Sequence, residues 1–174
     1  MSSNMMLTIG AFVLLTAFIL SSNKIIIENK RLDYESEYII SAIGLAQSVI
    51  DEAKTKRFDE AANPGVSVTL SSLTALDHLG AEAGEQITSP PDILTTGNCQ
   101  SFYKFDDVDD YNNYTRSVKT PRAGGYLVSV KVRYVTLSDP EAESSTKTFA
   151  KKMTVSVTSP YIEDPVVLNY IFTF

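Results

Sequence analysis

The first segment of the chain is hydrophobic on all of its sides, whereas further on the hydrophobic residues lie on one side of a helix. From Met5 to Leu20 the sequence contains only Met, Leu, Ile, Phe, Val, Ala, Thr and one glycine, and the first charged residue is Lys24. Beyond Arg31, apolar residues recur mainly at steps of three and four, which is the spacing of one helix face. They are Leu32, Ile39, Ile43, Ala46, Ile50 and Ala53.

These two patterns predict one nearly continuous helix from about Met5 to about Lys56, because the first proline of the chain is Pro64. Such a helix would be roughly 75–80 Å long at 1.5 Å per residue. We divide it into an apolar part, residues 1–27, and an amphipathic part, residues 28–57.

One step in this helix is a candidate break. Ser21, Ser22 and Asn23 follow the apolar run directly. Ser and Asn side chains compete for the backbone hydrogen bonds of a helix. The sequence therefore predicts that the helix breaks or stretches here if it does so anywhere.

The end of the chain has the alternating pattern of strands. Three segments, near 126–137, 148–158 and 166–174, place an apolar residue at every second position, which predicts strands with one buried face. The apolar positions are Tyr126, Val128, Val130, Val132 and Tyr134; Met153, Val155 and Val157; and Val166, Leu168, Tyr170, Phe172 and Phe174.

The predicted fold is α+β. Residues 58–174 form a globular head, in which 65–124 are rich in loops and the three strands form a small antiparallel sheet. The amphipathic half of the helix is expected to pack on this sheet, while the apolar half projects from it.

Charge is divided unevenly along the chain. Residues 1–31 carry three cations and one anion, a net charge of +2, so with −6 overall the remainder carries −8. So acidic a body would be repelled by phosphates, and we expect no nucleic-acid partner.

The apolar segment is of marginal length for a membrane span, which needs about 20 apolar residues. A cleaved secretory signal fits less well, because the apolar run has no basic residue before it and no A-x-A step after it.

Two stretches resemble a known family. "SAIGLAQSVIDEAKTKRFDE", residues 41–60, is similar to the point at which the helix of a type II secretion pseudopilin enters its head, and "KKMTVSVTSPYIEDPVVLNYIFTF", residues 151–174, is similar to the closing strands. The layout of the whole chain resembles type IV pilins and these pseudopilins. Members usually carry glutamate at the fifth position, where this chain has Met5, so the resemblance does not extend to processing of the N-terminus.

The resemblance implies a structural subunit. It would wait in the inner membrane and then polymerise with copies of itself, with the help of pilus or secretion machinery, into an extracellular filament on the cell surface. The filament core would use Met5, Leu7, Ile9, Phe12, Leu14, Leu15, Phe18, Ile19, Leu20, Ile25, Ile26 and Ile27. Two alternatives stay open: a pseudopilin of a secretion machine, and a single-pass membrane protein with a binding module and no polymer.

Candidate sites for other chemistry are few. "FDDVDDYNNY" offers Asp106, Asp107, Asp109 and Asp110 as calcium ligands, although a solvated acidic turn or a subunit contact explains them as well. Asn113 begins a glycosylation sequon. With one histidine, His78, and one cysteine, Cys99, we find no catalytic constellation and expect neither an enzyme nor a cofactor other than calcium.

Overall fold

The computed structural model of the chain describes residues 2–62, 65, 67–93, 98–121 and 124–174. The chain divides into two units, residues 1–38 and residues 39–174. The first unit consists of helix. The second contains the end of that helix and the whole of the sheet, and we call residues 58–174 the head.

The N-terminal helix, α1, comprises Ser2–Ala53, against a predicted extent of about Met5 to about Lys56. It is helical through Ser21, Ser22 and Asn23, so the structure has no break at the predicted weak point. A long helix that continues on both sides can extend through a three-residue step, because propagation adds one hydrogen bond per residue whereas a new nucleus is costly. A break within an assembled filament stays a prediction.

The buried side of α1 in the second unit matches the predicted side in part. Ala46, Ile50 and Ala53 are buried as predicted, while Ile39 and Ile43 are exposed by 37% and 43%. Ala42 and Val49, which the prediction did not include, are fully buried. Small side chains such as alanine let a helix backbone approach its neighbours closely, and a pattern weighted toward larger residues does not find them.

In the described residues, six strands form one sheet. The strands are Asp92–Ile93 (β1), Thr115–Val118 (β2), Tyr126–Thr136 (β3), Asp139–Glu143 (β4), Ala150–Thr158 (β5) and Val166–Thr173 (β6). Their order is β1-β2-β3-β5-β6, with β4 paired to β3. The three predicted strands correspond to β3, β5 and β6 and pair antiparallel as predicted. Because β1 and β2 are parallel, the sheet as a whole is mixed, and the prediction of a purely antiparallel sheet is corrected.

The centre of the sheet is formed by β3 and β5. Val128 pairs with Val157, and Val132 with Met153, and all four side chains are fully buried. This is the apolar face that the alternating pattern predicts. Tyr126 and Tyr134 occupy the same alternate positions of β3 and also lie in the interior, where each is 1% exposed.

Strand β6 is less buried than its pattern suggests. Tyr170 is 38% exposed and Phe174 at its end is 59% exposed, while Val167 on the other face is 50% exposed. Because β6 pairs only with β5 and forms an edge of the sheet, its side chains have neighbours on one side only. Alternation alone does not distinguish an edge strand from a central one.

The loop-rich region, residues 65–124, contains more structure than its sequence indicates. Besides β1 and β2 it holds a short helix α2, Gln100–Lys104, and a 3₁₀ helix, Asp109–Tyr111. Strand β4 lies in the predicted connection between β3 and β5. Elements of two to five residues are too short to show a period, so the sequence pattern could not reveal them.

We predict unequal effects for one substitution at two valines of the sheet. Val155→Ala, at a fully buried position of β5, should lower the free energy of unfolding by about 2–3 kcal/mol, since it removes buried methyl groups and leaves a cavity. The matched control Val167→Ala, on the half-exposed edge strand, should cost less than about 1 kcal/mol. Urea titration of the full chain in detergent, followed by tyrosine fluorescence, measures both. Equal losses would contradict the assignment of core and edge.

Candidate functional site

An apolar surface covers all sides of the first part of α1. All twelve residues predicted for the filament core are exposed, from 49% at Ile19 to 73% at Leu14. Met6 and Val13, which the prediction omitted, are exposed by 78% and 63% and belong to the same surface. We call these fourteen residues the apolar helix surface. They are Met5, Met6, Leu7, Ile9, Phe12, Val13, Leu14, Leu15, Phe18, Ile19, Leu20, Ile25, Ile26 and Ile27.

The two threonine hydroxyl groups within this segment are satisfied locally. The hydroxyl groups of Thr8 and Thr16 donate to the carbonyl oxygens of Met5 and Phe12, both at 2.8 Å. A hydroxyl that bonds back to its own helix leaves no free donor, which an apolar environment requires. The segment is therefore compatible with lipid and with a packed bundle of helices.

The same segment meets the dimensions of a membrane span. Within α1, an 18-residue window has a mean hydropathy of 2.1 and is not buried by the rest of the chain. From Met5 to the last residue before Lys24 a helix rises about 28 Å, close to the roughly 30 Å of a hydrocarbon core. One helix of the described chain is thus long and apolar enough to cross a membrane.

Leaving this surface in water would be costly. At about 1 kcal/mol for each large apolar side chain that is exposed by half or more, the fourteen residues carry on the order of 10–20 kcal/mol of unrealised burial. That exceeds the typical net stability of a whole domain. Soluble monomers rarely expose so much contiguous apolar area. The surface needs another apolar phase or other helices.

A first buried polar network ties the last turn of α1 to the head. The guanidinium of Arg116 donates to Glu52 at 2.5 Å and to the hydroxyl groups of Ser101 and Tyr114 at 2.9 and 2.8 Å. Glu52 also accepts from Tyr111 at 2.9 Å. Burial raises the pKa of both tyrosines, which keeps their hydroxyl groups protonated. Breaking such a buried pair by removing one partner is strongly destabilising.

Asp92 extends this network along the backbone. Its carboxylate accepts the N–H groups of Gln100 and Ser101, which begin α2, at 3.1 and 3.0 Å, and the hydroxyl of Tyr114 at 2.8 Å. Asp92 is fully buried in a strand of two residues. Its hydrogen bonds therefore anchor an otherwise short segment of chain.

A second buried network is centred on Lys151 in β5. Its Nζ lies 2.5 Å from Asp109, 2.8 Å from Asp59 and 2.8 Å from the carbonyl oxygen of Phe58. Lys151, Asp59 and Asp109 are between 0% and 1% exposed. The ring of Tyr134, the cross-strand partner of Lys151, lies 5.4 Å from the ammonium group.

The four aspartates predicted as calcium ligands do not converge on one point. Asp106 pairs with Arg57, and Asp109 pairs with Lys151. Asp107 and Asp110 each accept two backbone N–H groups of their own loop. Three of the four are buried, so they are not a solvated turn either. We therefore assign no ion to the four together.

One of them belongs to a different acidic cluster. Among the described residues, the carboxylate oxygens of Glu82, Glu85 and Asp110 lie within 4.8 Å of one another. Burial, aided by the charge of Glu82, raises the pKa of Asp110 to about 6, and burial also raises the pKa values of Glu82 and Glu85. Three acids so placed can share protons among themselves, and we assign no metal to them.

Of the remaining predicted residues, Cys99 lies beside the first network, with a side-chain hydrogen bond to Tyr114. Asn113 is exposed in a turn with a positive φ of 63°, so its glycosylation stays a prediction. His78 is exposed at the surface. Cys99 is buried, and burial raises the pKa of its thiol, which makes it unreactive.

The sequence analysis did not predict that Lys151 and Arg116 are buried, although their positions in the alternating pattern of the strands indicate it. Lys151 lies two residues before Met153 and so has the parity of the buried face of β5. Arg116 pairs with the buried Val128 and shares its face. A charged residue on the apolar parity of a strand indicates a buried ion pair, because the charge requires a partner there.

Comparison with known proteins provides no relative. No family model, no curated protein and no solved structure matches the chain.

We predict a pH-dependent stability to which Asp110 contributes. Its pKa is about 6 in the folded protein against an ordinary 3.8, so the folded state binds more protons between these pH values. The free energy of unfolding should therefore fall as pH rises from about 4 to about 6.5, and the contribution of Asp110 is on the order of 2–3 kcal/mol.

Asp110→Asn should lessen this fall without abolishing it, since the amide cannot titrate but can still accept the two backbone N–H groups. The remaining fall comes from Asp107, Glu82 and Glu85, whose pKa values are also raised by burial. The exposed control Asp164→Asn should leave the whole fall unchanged. Urea titrations at a series of pH values measure the effect. A free energy of unfolding that rises across the same range in the unmodified protein would contradict the assignment.

Proposed function

We propose that this protein is a structural subunit that polymerises through its apolar helix surface into a helical filament outside the cell. The observation that carries the proposal is that surface itself: fourteen large apolar side chains on all sides of one helix, none of them less than 49% exposed. Before assembly, the same helix holds the subunit in the inner membrane.

A bundle of identical helices covers this surface completely. Copies related by a screw operation contact each other head to tail, and such contacts do not close, so they generate an open filament. Apolar helices lose little when they leave lipid for a bundle, because the two environments are similarly apolar. A helix that is apolar on all sides can contact neighbours in every direction around its axis, as the inside of such a filament requires.

The head supplies the outer layer of the filament. It is acidic and carries its own apolar core, with the central valines of β3 and β5 fully buried. The buried part of α1 begins at Ala42, beyond the apolar helix surface. The head therefore keeps its contacts with the end of α1 whether residues 5–27 lie in lipid or in a bundle. We propose no catalytic activity, since the described side chains of the two networks are buried and closed to a substrate.

The alternatives share the helix but differ in what it contacts. A pseudopilin of a secretion machine would use the same surface in a short periplasmic polymer. A single-pass anchor with a binding head would leave the helix in lipid as a monomer. Shearing cells that express the chain and examining the supernatant by electron microscopy separates these cases, because only the filament releases long fibres that contain this chain.

One substitution tests the helix in assembly. Leu15→Lys should abolish sheared filaments, because a charge at the centre of the apolar surface has no partner in a bundle. The matched control Leu137→Lys, at a leucine of the head that is 70% exposed, should leave filaments intact.

Both variants are compared by electron microscopy of the sheared fraction and by immunoblot of the membrane and soluble fractions. Unaltered filaments in Leu15→Lys would overturn the proposed core. If the unmodified chain stays in the membrane as a monomer and no fibres are shed, the single-pass alternative replaces the proposal.

A further inference from the structure

Lys151 and Asp109 are held together in a site closed to water. The distance from Nζ of Lys151 to Oδ1 of Asp109 is 2.5 Å, and the two side chains are 0% and 1% exposed. The ring of Phe58 lies 4.7 Å from the ammonium group on one side, and the ring of Tyr134 lies 5.4 Å from it. An amine and a carboxyl group are the reactants of amide formation.

The two carboxylates next to Lys151 differ in their surroundings. Asp59 accepts the N–H groups of Ala61 and Thr74 in addition to Lys151. Burial acts to raise the pKa of Asp59, but the hydrogen bond and charge of Lys151, with the backbone donors, hold it below its usual value. Asp59 is therefore a fully satisfied carboxylate, which is a poor electrophile.

Asp109 is placed differently. Its Oδ2 is buried and has no hydrogen-bond partner among the described residues. Its acidic neighbour is Asp107, which is itself fully buried. Burial, then the charge of Asp109 and a hydrogen bond to it, raise the pKa of Asp107 to about 9. At neutral pH Asp107 is thus an acid whose proton is directed to the Asp109 carboxyl group.

We propose that Lys151 and Asp109 condense to an intramolecular isopeptide bond between Nζ and Cγ. The ammonium group first gives a proton to the Asp109 carboxylate, so that both groups are neutral. The lone pair of Nζ then attacks Cγ, while the acid proton of Asp107 hydrogen-bonds the oxygen on which negative charge develops. The C–O bond breaks, the hydroxyl leaves with the second amine proton as one water molecule, and Asp107 retains its own proton.

Three physical terms favour this step. Reactants held in contact reach effective concentrations of about 10⁵–10⁸ M. The ions have already lost their hydration, and condensation replaces two buried charges by one neutral amide. The remaining amide N–H can still donate to the carbonyl oxygen of Phe58, which lies 2.8 Å from Nζ. The product closes a covalent ring of residues 109–151 within the head, and the proposal does not depend on the filament.

The mass of the folded protein tests the bond directly. The full chain, purified in detergent, should be lighter than its sequence mass by one water molecule. After trypsin, residues 105–116 should be joined to residues 148–152, with Lys151 uncleaved. Fragmentation should locate the link at Asp109. A folded protein at its full sequence mass would overturn the proposal, and so would a link between 148–152 and the peptide 58–104, which carries Asp59.

Variants assign the roles. Lys152→Arg is the matched control: this neighbouring lysine lies 2.6 Å from Glu141 at the exposed surface, and its substitution should leave the mass loss intact. Lys151→Arg should restore the sequence mass. Asp107→Asn keeps the size of the acid and should slow the appearance of the cross-linked form about 100-fold or more, the usual effect of removing a general acid. A wild-type rate in a folded Asp107→Asn, verified by near-ultraviolet circular dichroism, would remove Asp107 from the mechanism.

Discussion

The apolar surface of α1 is the constraint on which the environment and the proposed assembly of this chain depend. Fourteen large hydrophobic side chains encircle a helix that also contains hydroxyl groups bonded back to their own backbone. The free energy gained by removing a surface of that size from water exceeds the net folding stability of most domains. It therefore determines where the chain can exist: in a bilayer, or among other helices of the same kind.

The head contains many charged side chains in the interior of a small domain. Arg116 and Lys151 are cations on the apolar parity of strands, and each is surrounded by acids, hydroxyl groups or carbonyl oxygens. Their acidic partners come from distant parts of the chain: Glu52 from the end of α1, Asp59 from the following loop, and Asp109 from the 3₁₀ helix. The two cations thus hold the loops and the end of the helix to the sheet.

Periodicity predicted the long elements well. The helix from about Met5 to about Lys56 is observed as Ser2–Ala53, and the alternation of Val128, Val130 and Val132 matches the buried face of β3. Long elements repeat their pattern several times, so single exceptions do not obscure it. The helix is also continuous through Ser21–Asn23 in the single chain, because local preferences of three residues are weaker than a helix that continues on both sides.

Interactions between distant residues were not predictable from local pattern. The parallel pairing of Asp92 with Arg116 joins two short strands that have no period of their own. The run of aspartates suggested calcium because carboxylates were counted without their partners, whereas Arg57, Lys151 and backbone N–H groups occupy them. The alternating pattern of the strands did place Lys151 and Arg116 on a buried face, where charged residues require partners.

The central claim is that the apolar helix surface forms the core of a homopolymer. Electron cryo-microscopy of fibres sheared from cells that express this chain tests it most directly. In the helical reconstruction, residues 5–27 of many copies should pack along the axis, and the sheet-containing heads should form the outer layer. A reconstruction whose axis lacks these helices, or cells that yield no fibre containing this chain, would contradict it.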